Sequence, residues 1–341
     1  MCGIYGLIVN EQSRLPTAAL EPAVRTLVRL SERRGREAAG LAVSSSSAIG
    51  VYKQATKPSV MLRSRAFADF LRRRIALLPS SNGTPSYVQP FAVIGHTRLV
   101  TNGSQAIQEN NQPIYNEGIV GIHNGIVTND RLLLDRYPEL RRGSTLSRSD
   151  SEVLFDLLHK YYRELGEIAP ALAATFDEIR GSASVAFYAN DRRAVTLATN
   201  TGSLYYAAAP ERGFFTFASE RPIVQRFLHK MRHQFAAMPA VHQVAPRTAA
   251  MVEFHDLIAT QISIDPRQPH SGGEEGVRWS RSPVETGAPS ADDKCAEGAS
   301  ELAPAPPIKG ARAPVVDSRT CGGEEYGRAR GSGQQGLALP G

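Results

Sequence analysis

A cysteine at position 2, followed at once by an apolar run, is the feature that most restricts what this chain can build. The first ten residues read Met-Cys-Gly-Ile-Tyr-Gly-Leu-Ile-Val-Asn. Ile4, Leu7, Ile8 and Val9 have the pattern of a buried strand that anchors whatever Cys2 does. A residue as small as Cys is compatible with removal of Met1. One residue would then carry both a thiol and a free α-amine. A free thiol has a pKa of about 8.5 and an α-amine of about 7.7–8.0, so the amine can serve as the local base near neutral pH. Gly3 and Gly6 would let backbone and substrate come close. The residues alone leave a second reading open, a cysteine buried for packing, since cysteine is among the most often buried residue types.

Composition narrows the class. The 341 residues suggest about one or two domains. No apolar run approaches the roughly 18 residues of a membrane helix, and the start lacks the basic n-region of a secretory leader. The three cysteines, Cys2, Cys295 and Cys321, form no C-x-x-C pair, which argues against a disulfide scaffold and a zinc site. A reducing cytoplasm fits that usage. The net charge of +6 is mild for this length. Its densest cluster, Arg63, Arg65, Arg72, Arg73 and Arg74, lacks aromatic interleaving and reads as a solvated helix face, so neither nucleic acid nor membrane is expected as a partner.

Taken in order, Leu20, Val24, Leu27 and Val28 mark a helix over about 17–32. Leu41–Val43 reads as a strand, 60–78 as a second helix and 79–85 as a loop. Phe91–Gly95 and Ile119–Ile122 read as short strands, each running into a polar loop, His96 onward and His123 onward. Ser149-Asp-Ser-Glu152 matches a capping box and starts a helix continued by Val153, Leu154, Leu157, Leu158 and Tyr161. A helix over 170–179 follows. Strands are expected over 182–188, 194–198, 204–207, 214–218, 249–254 and 261–264, with a helix over 220–231. Helices and strands come in blocks, which favours stacked mixed layers over a doubly wound sheet.

From Pro266 the character changes. The last 76 residues hold 13 of the 29 glycines and 9 of the 22 prolines, with no sustained apolar period. The expected division is a domain over 2–265 and a disordered low-complexity tail over 266–341. Gly331-Ser-Gly-Gln-Gln-Gly336 matches G-x-G-x-x-G, but lacks the strand and helix that would give it meaning.

Five motifs occur in order: Met-Cys-Gly-Ile-Tyr-Gly at the start, Arg34-Gly-Arg-Glu-Ala-Ala-Gly-Leu-Ala-Val43, Gly95-His-Thr-Arg-Leu-Val-Thr-Asn-Gly103, His123-Asn-Gly125 and Ser149-Asp-Ser-Glu152. In this order, over about three quarters of the chain, they resemble the class II glutamine amidotransferases. These belong to the N-terminal-nucleophile hydrolases. Within the family the resemblance is nearest to the glutaminase half of the glutamine:fructose-6-phosphate aminotransferases. It implies an α+β fold, a four-layer αββα sandwich with two mixed sheets face to face. It also implies L-glutamine as substrate, with no cofactor and no metal.

The resemblance assigns roles residue by residue. Cys2 would attack the side-chain amide carbon of glutamine, with its own amine shuttling the proton. The Asn124 side-chain amide and the Gly125 N–H would hold the oxyanion, the kind of preorganised donor pair whose loss typically costs about 10²–10³ in rate. Arg98 would pair with the α-carboxylate, for which a planar guanidinium is well matched. Asp150 would hold the α-ammonium, Thr101, Asn102 and Gly103 would line the carboxylate end, and Arg34 would brace the nucleophile. Each has an ordinary reading too: Arg98 as a surface ion-pair partner, Asp150 as a helix-start charge, Asn124-Gly125 as a turn dipeptide. His96 and His123 read as structural.

Two positions depart from the sugar aminotransferases. Position 38 is Ala where they carry Ser, and position 99 is Leu where they carry Trp in the loop over glutamine. Their sugar-isomerase module has no counterpart after Ile264. The expectation is a glutaminase subunit that passes ammonia to a separate synthase. The rival expectations are a glutamine-binding regulatory homologue and an amide hydrolase for another substrate.

Overall fold

The structure is a computed structural model. It describes residues 2–45, 48–78, 87–99, 111–116, 118–140, 149–265 and 315–317. Fourteen strands and seven α-helices are described. The first half runs β1 (Gly3–Val9), α1 (Thr17–Ser31), β2 (Ala38–Ser45), β3 (Ala48–Gln54), α2 (Pro58–Met61), α3 (Arg65–Ile75), β4 (Phe91–Arg98), β5 (Ile114–Tyr115), β6 (Ile119–Val127), α4 (Asp130–Arg136) and α5 (Asp150–Leu165). The second half runs α6 (Ile168–Glu178), β7 (Gly181–Ala189), β8 (Ala194–Thr199), β9 (Tyr205–Ala209), β10 (Phe214–Ala218), α7 (Arg221–Lys230), β11 (His242–Gln243), β12 (Thr248–Glu253), β13 (Ala259–Ser263) and β14 (Val315–Asp317).

The strands form two sheets. One has the order β11-β9-β10-β1-β4-β2-β3-β14, the other β13-β12-β8-β7-β6-β5. Strand β1 lies inside the first sheet, antiparallel to β10 on one side and β4 on the other. Gly3, the residue after Cys2, pairs with Thr97 of β4, and from Tyr5 onward the strand is paired on both flanks.

Side-chain alternation builds three layers of core. Tyr5, Leu7 and Val9 of β1 turn outward and pack with Leu20, Val24 and Leu27 of α1, Phe67 and Phe70 of α3, and Phe227 of α7. Ile4 and Ile8 turn inward and meet Val120 and Ile122 of β6, Ala186 and Tyr188 of β7, and Val195 and Leu197 of β8. On the far side Val185 and Phe187 pack with Val153 and Leu157 of α5 and Leu172 and Phe176 of α6. The result is helices, sheet, sheet, helices: the expected αββα sandwich.

Several boundaries differ from the expectations, each for a physical reason. The helix expected over 60–78 is broken: Ser64 caps a new start by accepting from the Phe67 N–H, which separates α2 from α3. The chain does not leave β4 at Gly95 or β6 at Ile122. Both strands run on, through Arg98 and through Val127, because β1 and β2 pair with the former and β7 with the latter. Strand β3, which pairs along the whole of β2, was not anticipated. Within 266–341 only the short strand β14 is among the described residues, so the expected tail is otherwise outside them. In β14 the β-branched Val315 and Val316 pair in parallel with the edge of β3. The loop expected over 79–85 lies outside the described residues.

The capping box is present as anticipated. The Ser149 hydroxyl accepts from the Glu152 N–H, and the Glu152 carboxylate accepts from the Ser149 N–H at 2.8 Å. Ser149→Ala should lower unfolding free energy by about 1 kcal/mol. Urea denaturation followed by circular dichroism would check this; an unchanged midpoint would mean that the cap carries no net stability.

Candidate active site

The inward faces of the two sheets change character along their length. On β4 the inward positions run Ala92, Ile94, His96, Arg98; on β6 they run Val120, Ile122, Asn124; on β8 they run Val195, Leu197, Thr199. Each strand is apolar at one end and polar at the other, and the registers bring the polar ends together. Cys2 lies at that polar end, one residue before β1.

Among the described residues, the thiol is held by Leu99. The Leu99 N–H donates to Cys2 Sγ at 3.4 Å, and Sγ lies 3.5 Å from the Leu99 carbonyl. Arg34 Nε donates to the Cys2 carbonyl at 3.2 Å, while its Nη1 pairs with Glu220 at 2.7 Å. Arg34 thus braces the Cys2 backbone and is itself braced by Glu220. Next to Arg34, Gly35 lies against the end of β4, where a Cβ would sit 2.4 Å from the Arg98 carbonyl carbon.

Burial pushes the Cys2 thiol up from its ordinary range. The Leu99 hydrogen bond and the Arg98 charge pull it down, and the Asp150 carboxylate adds to the upward push. Arg98 and Asp150 therefore bear on one sulfur from opposite signs of charge. Arg98 is buried, and its Nη1 donates to Asn111 Oδ1 at 2.8 Å. Burial lowers the pKa of its guanidinium, against the pull of Cys2, Asp150 and Glu37. Asp150, at the start of α5, accepts from the Val127 N–H at 2.9 Å and the Ser151 N–H at 3.0 Å. Its carboxylate is fixed between the end of β6 and the first turn of α5.

Asn124 is buried, and its Oδ1 has no partner among the described residues. A buried amide end without a partner costs about 1–3 kcal/mol, so it marks a position suited to a ligand. On the outer edge of β6 the His123 N–H is taken by the Gln112 side chain and the Val127 N–H by Asp150. The alternation of an antiparallel strand sets the Gly125 N–H on the same edge, between those two. Gly125 has a φ of +156°, and a Cβ there would lie 1.9 Å from the Ser182 carbonyl oxygen, so no other residue fits.

Of the residues singled out from the sequence, the fold brings Cys2, Arg34, Arg98, Asn124, Gly125 and Asp150 to one end of the sandwich. Thr101, Asn102 and Gly103 lie outside the described residues. Four neighbours escaped the sequence reading: Lys53, Asn111, Gln112 and Ser151. Only the run Asn110-Asn-Gln-Pro113, polar residues closed by a proline, hinted at a fixed turn there. Among the described residues no group of three His, Cys, Asp or Glu side chains is placed to hold a metal ion, and no helix is long and apolar enough to cross a membrane.

The family model described as "Glutamine amidotransferase domain" matches residues 96–226. That stretch of the chain carries a glutamine amidotransferase domain. Two relatives of the domain are glutamine–fructose-6-phosphate aminotransferases (isomerizing). That of Caldanaerobacter subterraneus is 29% identical over 192 residues, covering 56% of this chain and 27% of the relative. That of Rhizobium meliloti is 30% identical over 209 residues, covering 60% and 29%. The chain thus spans less than a third of the length of these relatives. In fold, the amidotransferase domain is similar to glutamine phosphoribosylpyrophosphate amidotransferase from B. subtilis, with a TM-score of 0.53 at 16% identity over 78% of this chain and 50% of that one.

Two histidines lie beneath the site of the amidotransferase domain. Burial, then the neighbouring His123 and Arg98, push His96 from its ordinary 6.5 down to about 3. Burial lowers His123 as well, against the pull of Asp150 and the Ser182 carbonyl. Between pH 6.5 and about 3 the unfolded chain binds a proton at His96 and the folded chain does not. That contribution to stability is whole above 6.5 and is lost as the pH falls toward 3. His96→Gln should flatten the fall in unfolding free energy over this window relative to wild type, as measured by urea titration at a series of pH values. Parallel curves for the two proteins would show that His96 takes up its proton in the folded state.

Proposed function

We propose that this chain is a glutaminase subunit. It hydrolyses L-glutamine to L-glutamate and ammonia and passes the ammonia to a separate synthase that aminates a sugar or another small molecule. The observation that carries this reading is the placement of Cys2 under the opposed charges of Arg98 and Asp150. An α-amino acid carries one group of each sign on a single carbon. Arg98 offers its guanidinium to the α-carboxylate and Asp150 its carboxylate to the α-ammonium, which leaves the side-chain amide to reach Sγ.

The chemistry follows from that pose. After removal of Met1, Sγ bonds to the amide carbon of glutamine, and the thiol proton passes by way of the Cys2 α-amine to the amide nitrogen. The carbonyl oxygen takes up negative charge and is met by Asn124 and the Gly125 N–H. The carbon–nitrogen bond breaks and ammonia leaves, giving a γ-glutamyl thioester. Water then adds to the thioester carbon, the sulfur leaves with a proton, and glutamate is released. A thiol held above its ordinary pKa is protonated at rest, so a base within the same residue suits it. Thr101, Asn102 and Gly103 are assigned to the carboxylate end of the substrate on the same reading.

Glutamate release by the purified, Met1-processed protein tests the proposal. Cys2→Ala should abolish release, and 6-diazo-5-oxo-L-norleucine should add one adduct, on Cys2, by intact-mass and peptide analysis. Arg98→Lys should raise KM for glutamine about tenfold or more, since an ammonium replaces a bidentate fork. Labelling at a residue other than Cys2, or retention of Met1 in an active protein, would overturn the mechanism.

A further inference from the structure

We propose that the segment Asn111-Gln112-Pro113 is a positioning strut that sets both ends of the glutamine site at once. Its Asn111 side chain fixes Arg98, and its Gln112 side chain fixes the strand that presents Asn124 and Gly125. The inference rests on the glutaminase reading of the site.

The strut begins where a ladder stops. Strand β5 pairs Ile114 with Gly121 and Tyr115 with Val120. Carried two residues further, the same register sets Gln112 opposite His123. Pro113 has no N–H to give, and the backbone ladder ends before it. Gln112 continues the ladder with its side chain. Its Oε1 accepts from the His123 N–H, and its Nε2 donates to the His123 carbonyl at 3.0 Å. This pair of bonds reproduces what a neighbouring strand would supply, on the residue next to Asn124. The edge of β6 is thereby closed at His123, two residues before Gly125.

The same amide reaches the opposite wall. Gln112 Nε2 also lies 3.1 Å from Ser151 Oγ, which is 3.0 Å from His123 Nδ1. Ser151 follows Asp150 in the first turn of α5, so the ammonium-binding carboxylate is tied to the same point. One residue earlier, Asn111 Oδ1 receives Arg98 Nη1 at 2.8 Å. Lys53, buried inside the sandwich, donates to the Asn111 carbonyl at 2.8 Å and to the Pro113 carbonyl at 3.4 Å. Gly40 leaves room for the segment, because a Cβ there would lie 2.2 Å from the Gln112 carbonyl oxygen. Asn111 and Gln112 are themselves buried. Neither is placed to react with substrate, so both act through the groups they hold.

Kinetics separate the two arms. Gln112→Met keeps the volume and removes both bonds to His123. It should lower kcat about 10–100-fold, the scale of a misplaced reacting geometry, with KM within about twofold of wild type: the Ser151 bond is lost too, but Asp150 keeps the Val127 and Ser151 N–H groups and Arg98 keeps Asn111. It should weaken binding of L-glutamate γ-semialdehyde by a similar factor and leave L-glutamate binding unchanged. The aldehyde forms a thiohemiacetal whose oxygen occupies the oxyanion position. Asn111→Leu should show the opposite split, with KM raised about tenfold and kcat little changed. If Gln112→Met does not fold, Gln112→Glu, which keeps the acceptor and loses the donor, should still cost at least about tenfold in kcat. A Gln112 variant with wild-type kcat, or one whose loss only tracks its unfolded fraction by circular dichroism, overturns the strut and leaves the glutaminase reading standing. A wild-type protein that neither releases glutamate nor binds the aldehyde sinks both.

Discussion

Two sheets packed face to face must bury whatever their inner faces carry, and here one end of those faces carries charge. Arg98 and Lys53 are both buried. An ion taken out of water costs several kcal/mol unless its hydrogen-bonding capacity is met. Backbone and amide groups meet part of that demand: Lys53 donates to the Asn111 and Pro113 carbonyls, and Arg98 to the Asn111 side chain. The rest of the site, from the placement of β6 to the start of α5, follows from how that polar end is made rigid.

The apolar half of the architecture was legible in the sequence because it is periodic. Alternation along 182–188 and 194–198, and the i, i+4, i+7 spacing of Leu20, Val24 and Leu27, each announce an element that buries one face. The polar half was not. At His96–Arg98 and His123–Val127 hydropathy drops, and both stretches read as loops, yet the backbone continues in strand. Partners far away in the sequence, β1 and β2 in one case and β7 in the other, keep it extended. Hydropathy reports burial in an apolar core; it is blind to a ladder that runs on into the polar end of the sandwich.

The site residues divide the same way. Cys2, Arg98, Asn124 and Asp150 were singled out because their order resembles a family, and each has chemistry of its own. Gln112 has none. Its part in the structure comes from standing opposite His123 where a proline ends the neighbouring strand, a relation visible only in three dimensions. The same holds for Lys53, whose strand β3 went unread; its alternation of Ile49, Val51 and Lys53 places a lysine among inward-facing apolar residues.

The electrostatics of the thiol follow from this arrangement. Arg98 draws its pKa down and Asp150 pushes it up, so the two act against each other at the sulfur, and burial sets the direction. Under the proposed reaction, a zwitterionic substrate would neutralise both charges when it binds and displace water from the sulfur. The thiol would then be harder to ionise with substrate present than without it. A resting thiolate is therefore a poor description of the nucleophile, and proton removal must accompany attack. The Leu99 backbone suits that sequence: its carbonyl faces the protonated sulfur, and its N–H remains a donor once the proton has gone.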